Sequence, residues 1–408
     1  MEFDIVIIGG GLVGATLANA LSQQPLRIGI IDKVPYPLNN DPEGDARALA
    51  LSETSVRCLT ILNVWPRVME RACPIAEIHV SKYQSFGITR LCARDYQLPT
   101  FGYVVNAEVL NGALNNCLEA ATNIQIFRPD EVVKLIRLDQ GWQLDLRSQK
   151  SLTTTLLVAA DGGDSYLRKH QGIHAKIIDH HQSAMVVNLE LAKPHCNVAY
   201  ERFTDNGSLA ILPLTGNRVK CVWIFPEALV KNFQAMPEAE FLDKLQKHFG
   251  KNLGSFIRLG QRLHYPLRTI LSETIYGDRL VLIGNAANTL HPVAAQGFNL
   301  GLRDAAMLAE IVVSARRRNH DIASVEVLRA YASRRQTDYK MIRQFTHHLV
   351  ETHFLQGFGI LACTWVPPFK KRIVARALGR QGELPKLCRG VSLIGESLAK
   401  HEVQSFNV

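Results

Sequence analysis

The N-terminal apolar run frames the chain. Phe3, Ile5, Val6, Ile7 and Ile8 lead into Gly9, Gly10 and Gly11, and a helical pattern begins at Leu12. Such a run predicts a buried parallel strand, and the glycines a tight turn before a helix over residues 12–22. Residues 26–31 predict a second strand, which ends at Asp32. Residues 35–44 hold three prolines and no periodicity, so they read as a loop. Helical periodicity returns over 52–62 and 107–121, and residues 75–105 alternate as short strands do. The segments 130–138, 141–146 and 151–158 predict an antiparallel meander.

Four more strands are expected at 183–191, 198–203, 208–214 and 218–225. They are split by Lys193-Pro194, Asp205-Asn206-Gly207 and Thr215-Gly216-Asn217. A helix over 237–249, with proline at its start, and a strand over 261–266 follow. The last apolar strand ends at Gly284. Helices over 297–316 and 325–350 come next. Residues 354–369 are apolar and aromatic, with Lys370, Lys371, Arg372, Arg376 and Arg380 on their flank. Two readings of that segment stand: a helical hairpin packed on the core, or an apolar face with a basic rim that meets a membrane surface or a partner.

The totals change this picture little. The chain has 408 residues, 47% hydrophobic and 20% charged, as expected for a globular protein of two or three domains. Net charge is +9, but basic residues are spread and no aromatic-interleaved basic tract occurs, so nucleic-acid binding is not expected. Eight cysteines stand apart, without C-x-x-C or zinc spacing, and read as reduced thiols in a cytoplasmic protein. No metal site and no transmembrane span is expected.

Three stretches carry chemistry. Gly9, Gly11 and Gly14 stand at G-x-G-x-x-G spacing between strand and helix. There the backbone N–H groups of the helix N-terminus favour a pyrophosphate, and Asp32 falls where a carboxylate accepts from ribose hydroxyls. This stretch alone leaves FAD and NAD both open. Arg47 follows the loop on the ligand side and reads either as a phosphate contact or as a surface charge. Next, residues 156–160 run into Asp161, Gly162 and Gly163, with Asp164 or Ser165 as helix cap. Last, the segment 277–304 ends a strand at Gly284 and passes a polar turn into a helix. Small residues at 286, 287, 294 and 295 are expected to admit a flat ligand. His291 reads as a structural histidine or as a base. Asp304 reads as a structural partner.

Together, in this order, the three stretches resemble the aromatic flavin hydroxylases of the para-hydroxybenzoate hydroxylase type. Their usual G-D-A-A-H is here Gly284-Asn285-Ala286-Ala287-Asn288. Asn285 keeps a hydrogen-bonding group but loses the charge. Thr289-Leu290-His291-Pro292, the run from Gln296 to Gly301, the run from Arg47 to Leu51, His79-Val80-Ser81, the run from Asp95 to Leu98 and Glu201-Arg202-Phe203-Thr204 are similar to the ubiquinone-biosynthesis branch, the 2-polyprenyl-6-methoxyphenol hydroxylases. Ala295 stands where that branch usually has glycine.

The resemblance implies a mixed α/β fold: a Rossmann-like FAD-binding domain of the two-dinucleotide-binding type (1–74, 103–180 and 270–345), an inserted antiparallel-sheet substrate domain (75–102 and 181–269) and a C-terminal helical segment (346–408). It implies that Gly9, Gly11, Gly14 and Asp32 hold the ADP part of FAD. Arg47, Asp161 and Gly162 would lie near the pyrophosphate, and Val132 would meet the adenine through its backbone. Asn285 would bind the ribityl chain, and Pro292, Gln296, Gly297, Phe298, Asn299 and Leu300 would face the isoalloxazine. It assigns no catalytic side chain. It implies NAD(P)H as co-substrate, O2 as oxygen source, a hydrophobic prenylated phenol as substrate, and contacts with a ubiquinone-synthesis complex and the inner-membrane surface. Two alternatives stay open: another flavin enzyme of this fold, such as an epoxidase or prenyl reductase, and a non-catalytic protein that retains FAD.

Overall fold

The structure, a computed structural model, describes residues 1–36, 48–84, 88–204, 206–291, 297–351, 375, 378–380 and 382–394. Arg47, Pro292, Ala294, Ala295, Gln296 and residues 354–369 lie outside the described residues.

The Glu2–Ile8 strand lies in the middle of the first sheet. It pairs in parallel with Ile28–Ile31 on one side and Ser151–Ala159 on the other. Beyond these lie Ile124–Phe127 on one side and Leu280–Leu282 on the other, both parallel as well, with the short antiparallel Tyr276–Gly277 outside the latter. The order follows from the sequence: Ile5, Val6, Ile7, Ile28, Ile30, Leu156, Leu157 and Val158 are all buried, as strands covered on both faces require. The chain leaves Glu2–Ile8 toward one side and fills the other side later. A crevice therefore opens at its carboxyl end, where the glycines stand. The meander forms as expected: Gly141–Leu146 pairs antiparallel with Val132–Leu138 on one side and with Ser151–Ala159 on the other.

A second sheet runs Asn288–Thr289, Leu263–Ser272, Ala175–Leu191, Arg218–Pro226, Gly207–Pro213, Val198–Thr204, Glu77–Lys82, Ile88–Cys92. One face packs Met185, Val187, Leu189, Leu209, Ile211 and Trp223 under the Val230–Ala235 and Glu238–Phe249 helices. Trp223 meets Phe233 edge-on at 4.9 Å, and Phe225 stacks on Phe233 at 4.4 Å. The opposite face carries Ala184, Phe203, Ile224 and Leu267, with Val80 and Val222 beside them. Lys220, on that face by alternation, donates to the Ala48 carbonyl at 3.2 Å. Ala48–Ser52 pairs with Gly102–Asn106 in a small third sheet, and its Ala50 carbonyl accepts from the Asn299 amide, so this face of the second sheet is turned toward the start of the Gly297–Arg317 helix.

The strand expected over 183–191 begins at Ala175 instead. Lys176, Asp179, His180 and His181 hide it, because their polarity breaks the apolar alternation. Pairing with Leu263–Ser272 extends it, across a register shift between Asp179 and Ser183. The same pairing carries the strand expected over 261–266 on to Ser272. No helix among the described residues is long and apolar enough to cross a membrane.

Candidate functional site

The three chemistry-bearing stretches meet at the carboxyl end of Glu2–Ile8. Gly9 has φ +103°, and a Cβ there would lie 2.3 Å from the Ala160 carbonyl oxygen, just before Asp161. A Cβ at Gly14 would lie 2.0 Å from the Gly9 carbonyl oxygen. Both glycines are thus demanded by backbone packing, and they draw the Leu12–Leu21 helix onto the strand end. A Cβ at Gly11 meets nothing within 4 Å, so the space in front of it is open. Gly11 caps that helix without a side-chain hydrogen bond, and the first turn holds no acid. Its leading N–H groups are left for an anion.

The third stretch is bound to the other two. Gly284, at φ +59°, packs against Val13, and a Cβ at Gly301 would come within 2.8 Å of Val13. Arg168 is buried and donates from Nη1 to the Ala286 carbonyl at 2.9 Å and from Nη2 to the Gly163 carbonyl at 2.7 Å. Ser165, not Asp164, caps the Tyr166–His170 helix by accepting from the Arg168 N–H at 3.0 Å. Asp304 accepts the Gly284 N–H at 2.9 Å and Arg335 Nε at 2.7 Å. That is the structural role expected of it.

The remaining candidates fall into two groups. Asp32 accepts the Gly10 N–H on Oδ2 at 2.9 Å and the Val34 N–H on Oδ1 at 3.0 Å, which leaves each oxygen a lone pair. Asp161 accepts the Leu167 N–H at 3.3 Å through Oδ2, while its buried Oδ1 has no hydrogen-bond partner. Gly162 has φ +88° and open space before it. Val132 opens its strand just after Asp130, whose N–H donates to the Asp32 carbonyl at 2.9 Å. Asn285 is exposed, and a Cβ at Gly297 also meets open space. These are free to meet a ligand.

The other group is committed to the protein. Gly297–Arg317 is helical from its first residue, so positions 297–300 form a helix turn. Asn299 accepts from the Ser52 N–H at 2.9 Å and the Ser55 hydroxyl at 2.7 Å, and donates to the Ala50 carbonyl at 2.8 Å. Leu300 is buried in the main core, and Phe298 is half-buried against it. Asn299 and Leu300 therefore offer a ligand their backbone alone. Ala286 and Ala287, expected to admit a flat ligand, are fully buried in the core. His291 is buried, meets His180 edge-on at 4.9 Å, and burial pushes its imidazole down to about 4. Near neutral pH it is uncharged and cannot supply positive potential.

The local pattern gives no role to Arg128, which lies beside Gly10, and does not foretell the burial of Glu201. Glu201, on Val198–Thr204, pairs with Ala210 and Val80 and shares its face with Phe203. Burial raises its carboxyl from 4.5 to about 7 against the hydrogen bond from Ser208. Between those values the folded state holds a proton the unfolded chain has lost, so this group lowers stability as pH rises from 4.5 to about 7. Glu201→Gln should raise the urea midpoint at about pH 8 by the equivalent of about 3 kcal/mol, and leave it unchanged near pH 4. Equal gains at both values would contradict the burial of a neutral carboxyl.

The crevice fits a dinucleotide: an uncapped helix N-terminus for a pyrophosphate, a carboxylate with free lone pairs, and an orphaned buried acceptor on Asp161. With the second sheet's apolar face turned to the same side, fold and site define a flavoprotein of the two-dinucleotide-binding class. The family model described as FAD binding domain matches residues 2–346, and the chain belongs to that family. It is 32% identical to the ubiquinone hydroxylase UbiL of Rhodospirillum rubrum, over 96% of this chain and 93% of that protein. It is 30% identical to the 3-demethoxyubiquinol 3-hydroxylase of Escherichia coli, over 92% and 98%. Among solved structures, PqsL of Pseudomonas aeruginosa in complex with 2-aminobenzoylacetate superposes with TM-score 0.76 at 19% identity, covering 88% of this chain and all of that one, a likeness of fold.

Proposed function

We propose that this chain is an FAD-dependent monooxygenase that hydroxylates the ring of a polyprenylated phenol in ubiquinone biosynthesis, with NAD(P)H as reductant and O2 as oxygen source. The observation that carries this is the convergence of three motifs on one crevice beside an apolar sheet face, in a chain whose relatives, matched over nearly their full length, include ubiquinone hydroxylases. Bound FAD supplies the redox and oxygen-transfer chemistry. The chain's own residues bind, orient and keep water out. The N–H groups that follow Gly11 hold the pyrophosphate. Asp32 accepts from the ribose hydroxyls. Asp161, a carboxylate, accepts from a cofactor hydroxyl rather than from a phosphate, which it would repel. Asn285 hydrogen-bonds the ribityl chain. The N-terminus of Gly297–Arg317 lends positive potential near the flavin ring. Val80, Ala184, Phe203, Ile224 and Leu267 form a dry wall for an apolar substrate. Contact with the inner-membrane surface and with a ubiquinone-synthesis complex through residues 346–408 belongs to the same proposal.

Asp32→Ala removes a charged acceptor and leaves two backbone N–H groups bare. FAD affinity of the apoprotein should fall about 10- to 100-fold, from about 1.5–3 kcal/mol for hydrogen bonds to a charged group. Quenching of flavin fluorescence reads this directly, and an unchanged Kd removes Asp32 from the site. The function itself is tested in a strain that lacks its ring hydroxylases for ubiquinone. Expression of this chain should restore ubiquinone and deplete the unhydroxylated phenol. An FAD-loaded chain that does neither favours the non-catalytic reading.

A further inference from the structure

Arg128 follows the Ile124–Phe127 strand and lies next to the glycine turn. A Cβ at Gly10 would be 3.0 Å from its Nη2 and 2.9 Å from Asp32 Oδ2. The guanidinium is held from two directions. Nη1 donates to Asn115 Oδ1 at 2.9 Å, and the Tyr36 ring lies 5.3 Å from Cζ. Nε and Nη2 are buried and have no hydrogen-bond partner. No carboxylate among the described residues forms an ion pair with it.

Two buried, orphaned donors on a half-buried cation are costly, at about 1–3 kcal/mol each or more. They are also informative, because Nε–H and Nη2–H form the parallel edge with which arginine binds two neighbouring oxygens. Across Gly10 stands Asp32, which still has a lone pair on each oxygen. A group wedged there must accept from Arg128 and donate to Asp32. A vicinal diol does both, since each hydroxyl is donor and acceptor. A phosphate can accept from Arg128, but it meets the Asp32 carboxylate with like charge.

We propose that Arg128 is a cofactor-binding residue that clamps the adenosine ribose of FAD, its two donors facing the diol from the side opposite Asp32. The proposal rests on the FAD reading above and adds a specificity element to it: the ribose is held between a cation and an anion, with the cation kept in place by Asn115 and Tyr36. The adenosine half of the cofactor is thereby selected, and FMN, which lacks that half, does not use this contact.

The test uses apoprotein of the wild type and of Arg128→Met and Arg128→Gln. Flavin fluorescence gives Kd for FAD and FMN, and displacement gives Kd for ADP and for 2′,3′-dideoxy-ADP. In both variants FAD and ADP should weaken about tenfold or more, with FMN and the dideoxy nucleotide nearly unchanged. The wild-type preference for ADP over its dideoxy analogue should shrink by the same factor. Melting of the apoproteins checks that the variants fold. Unchanged FAD affinity in folded variants overturns the proposal. Equal weakening of ADP and dideoxy-ADP also overturns it, by moving Arg128 to the phosphates. A wild-type apoprotein that takes up no FAD overturns the family reading first, and this role with it.

Discussion

Gly14→Val should yield a chain that retains no FAD and is recovered in low amount. The Gly14 Cβ would sit 2.0 Å from the Gly9 carbonyl oxygen, which is backbone and cannot swing aside. Relief requires the Leu12–Leu21 helix to lift from the end of Glu2–Ile8. That movement withdraws the uncapped N–H groups from the anion position. It also loosens the contact of Val13 with Gly284 and Gly301, and with it the joint between the first and third stretches. Overpacking against backbone costs about 3 kcal/mol or more, at the upper end of the usual range. Flavin absorbance of the purified variant, with its melting temperature, measures both effects. A variant that keeps stoichiometric FAD would show that close helix–strand approach is not what forms the site.

The second large effect lies behind the crevice. Arg335 has 0% exposure. It pairs with Asp304 and with Asp338, and Arg303 reaches Asp338 at 3.1 Å. Asp304 in turn holds the Gly284 N–H, so the ion cluster props the flavin-side turn from within. Arg335→Met leaves Asp304 without its cation in the core. The expected loss is about 3–5 kcal/mol by denaturant unfolding, together with weaker FAD retention. A second substitution, Asp304→Asn in the same chain, removes the stranded charge while its amide oxygen still takes the Gly284 N–H. The double variant should regain a good part of the loss. If Arg335→Met alone costs less than about 1 kcal/mol, the cluster is not what holds the turn.

What could be read from the chain depended on range. The strand–glycine–helix order, Asp32 and the sheet meander were legible, because alternation, periodicity and turn chemistry act over a few neighbours. Three features were not. Arg128 sits between Phe127 and Pro129 and looks like the end of an edge strand. Its place beside Gly10 follows from the pairing of Ile124–Phe127 with Ile28–Ile31, nearly a hundred residues earlier. Glu201 stands in an alternating strand, where a charge usually faces water, yet both faces of the second sheet carry buried apolar clusters. Asn299 and Leu300 fall in the stretch expected to face the flavin ring. The helix begins at Gly297, however, so one side chain turns to Ser52 and Ser55 and the other into the core. In each case the pairing of distant segments, and not the local pattern, decides which way a side chain points.

The proposed function stands or falls on the transfer of an oxygen atom from O2 to a prenylated phenol. Purified FAD-loaded protein given NAD(P)H, a prenylated phenol and 18O2 tests it by mass spectrometry. The expected result is a ring-hydroxylated product that carries one 18O atom for each NAD(P)H consumed, and no such product without FAD. Consumption of NAD(P)H that yields only hydrogen peroxide across a series of prenylated phenols, or a product whose new oxygen comes from water, would contradict it.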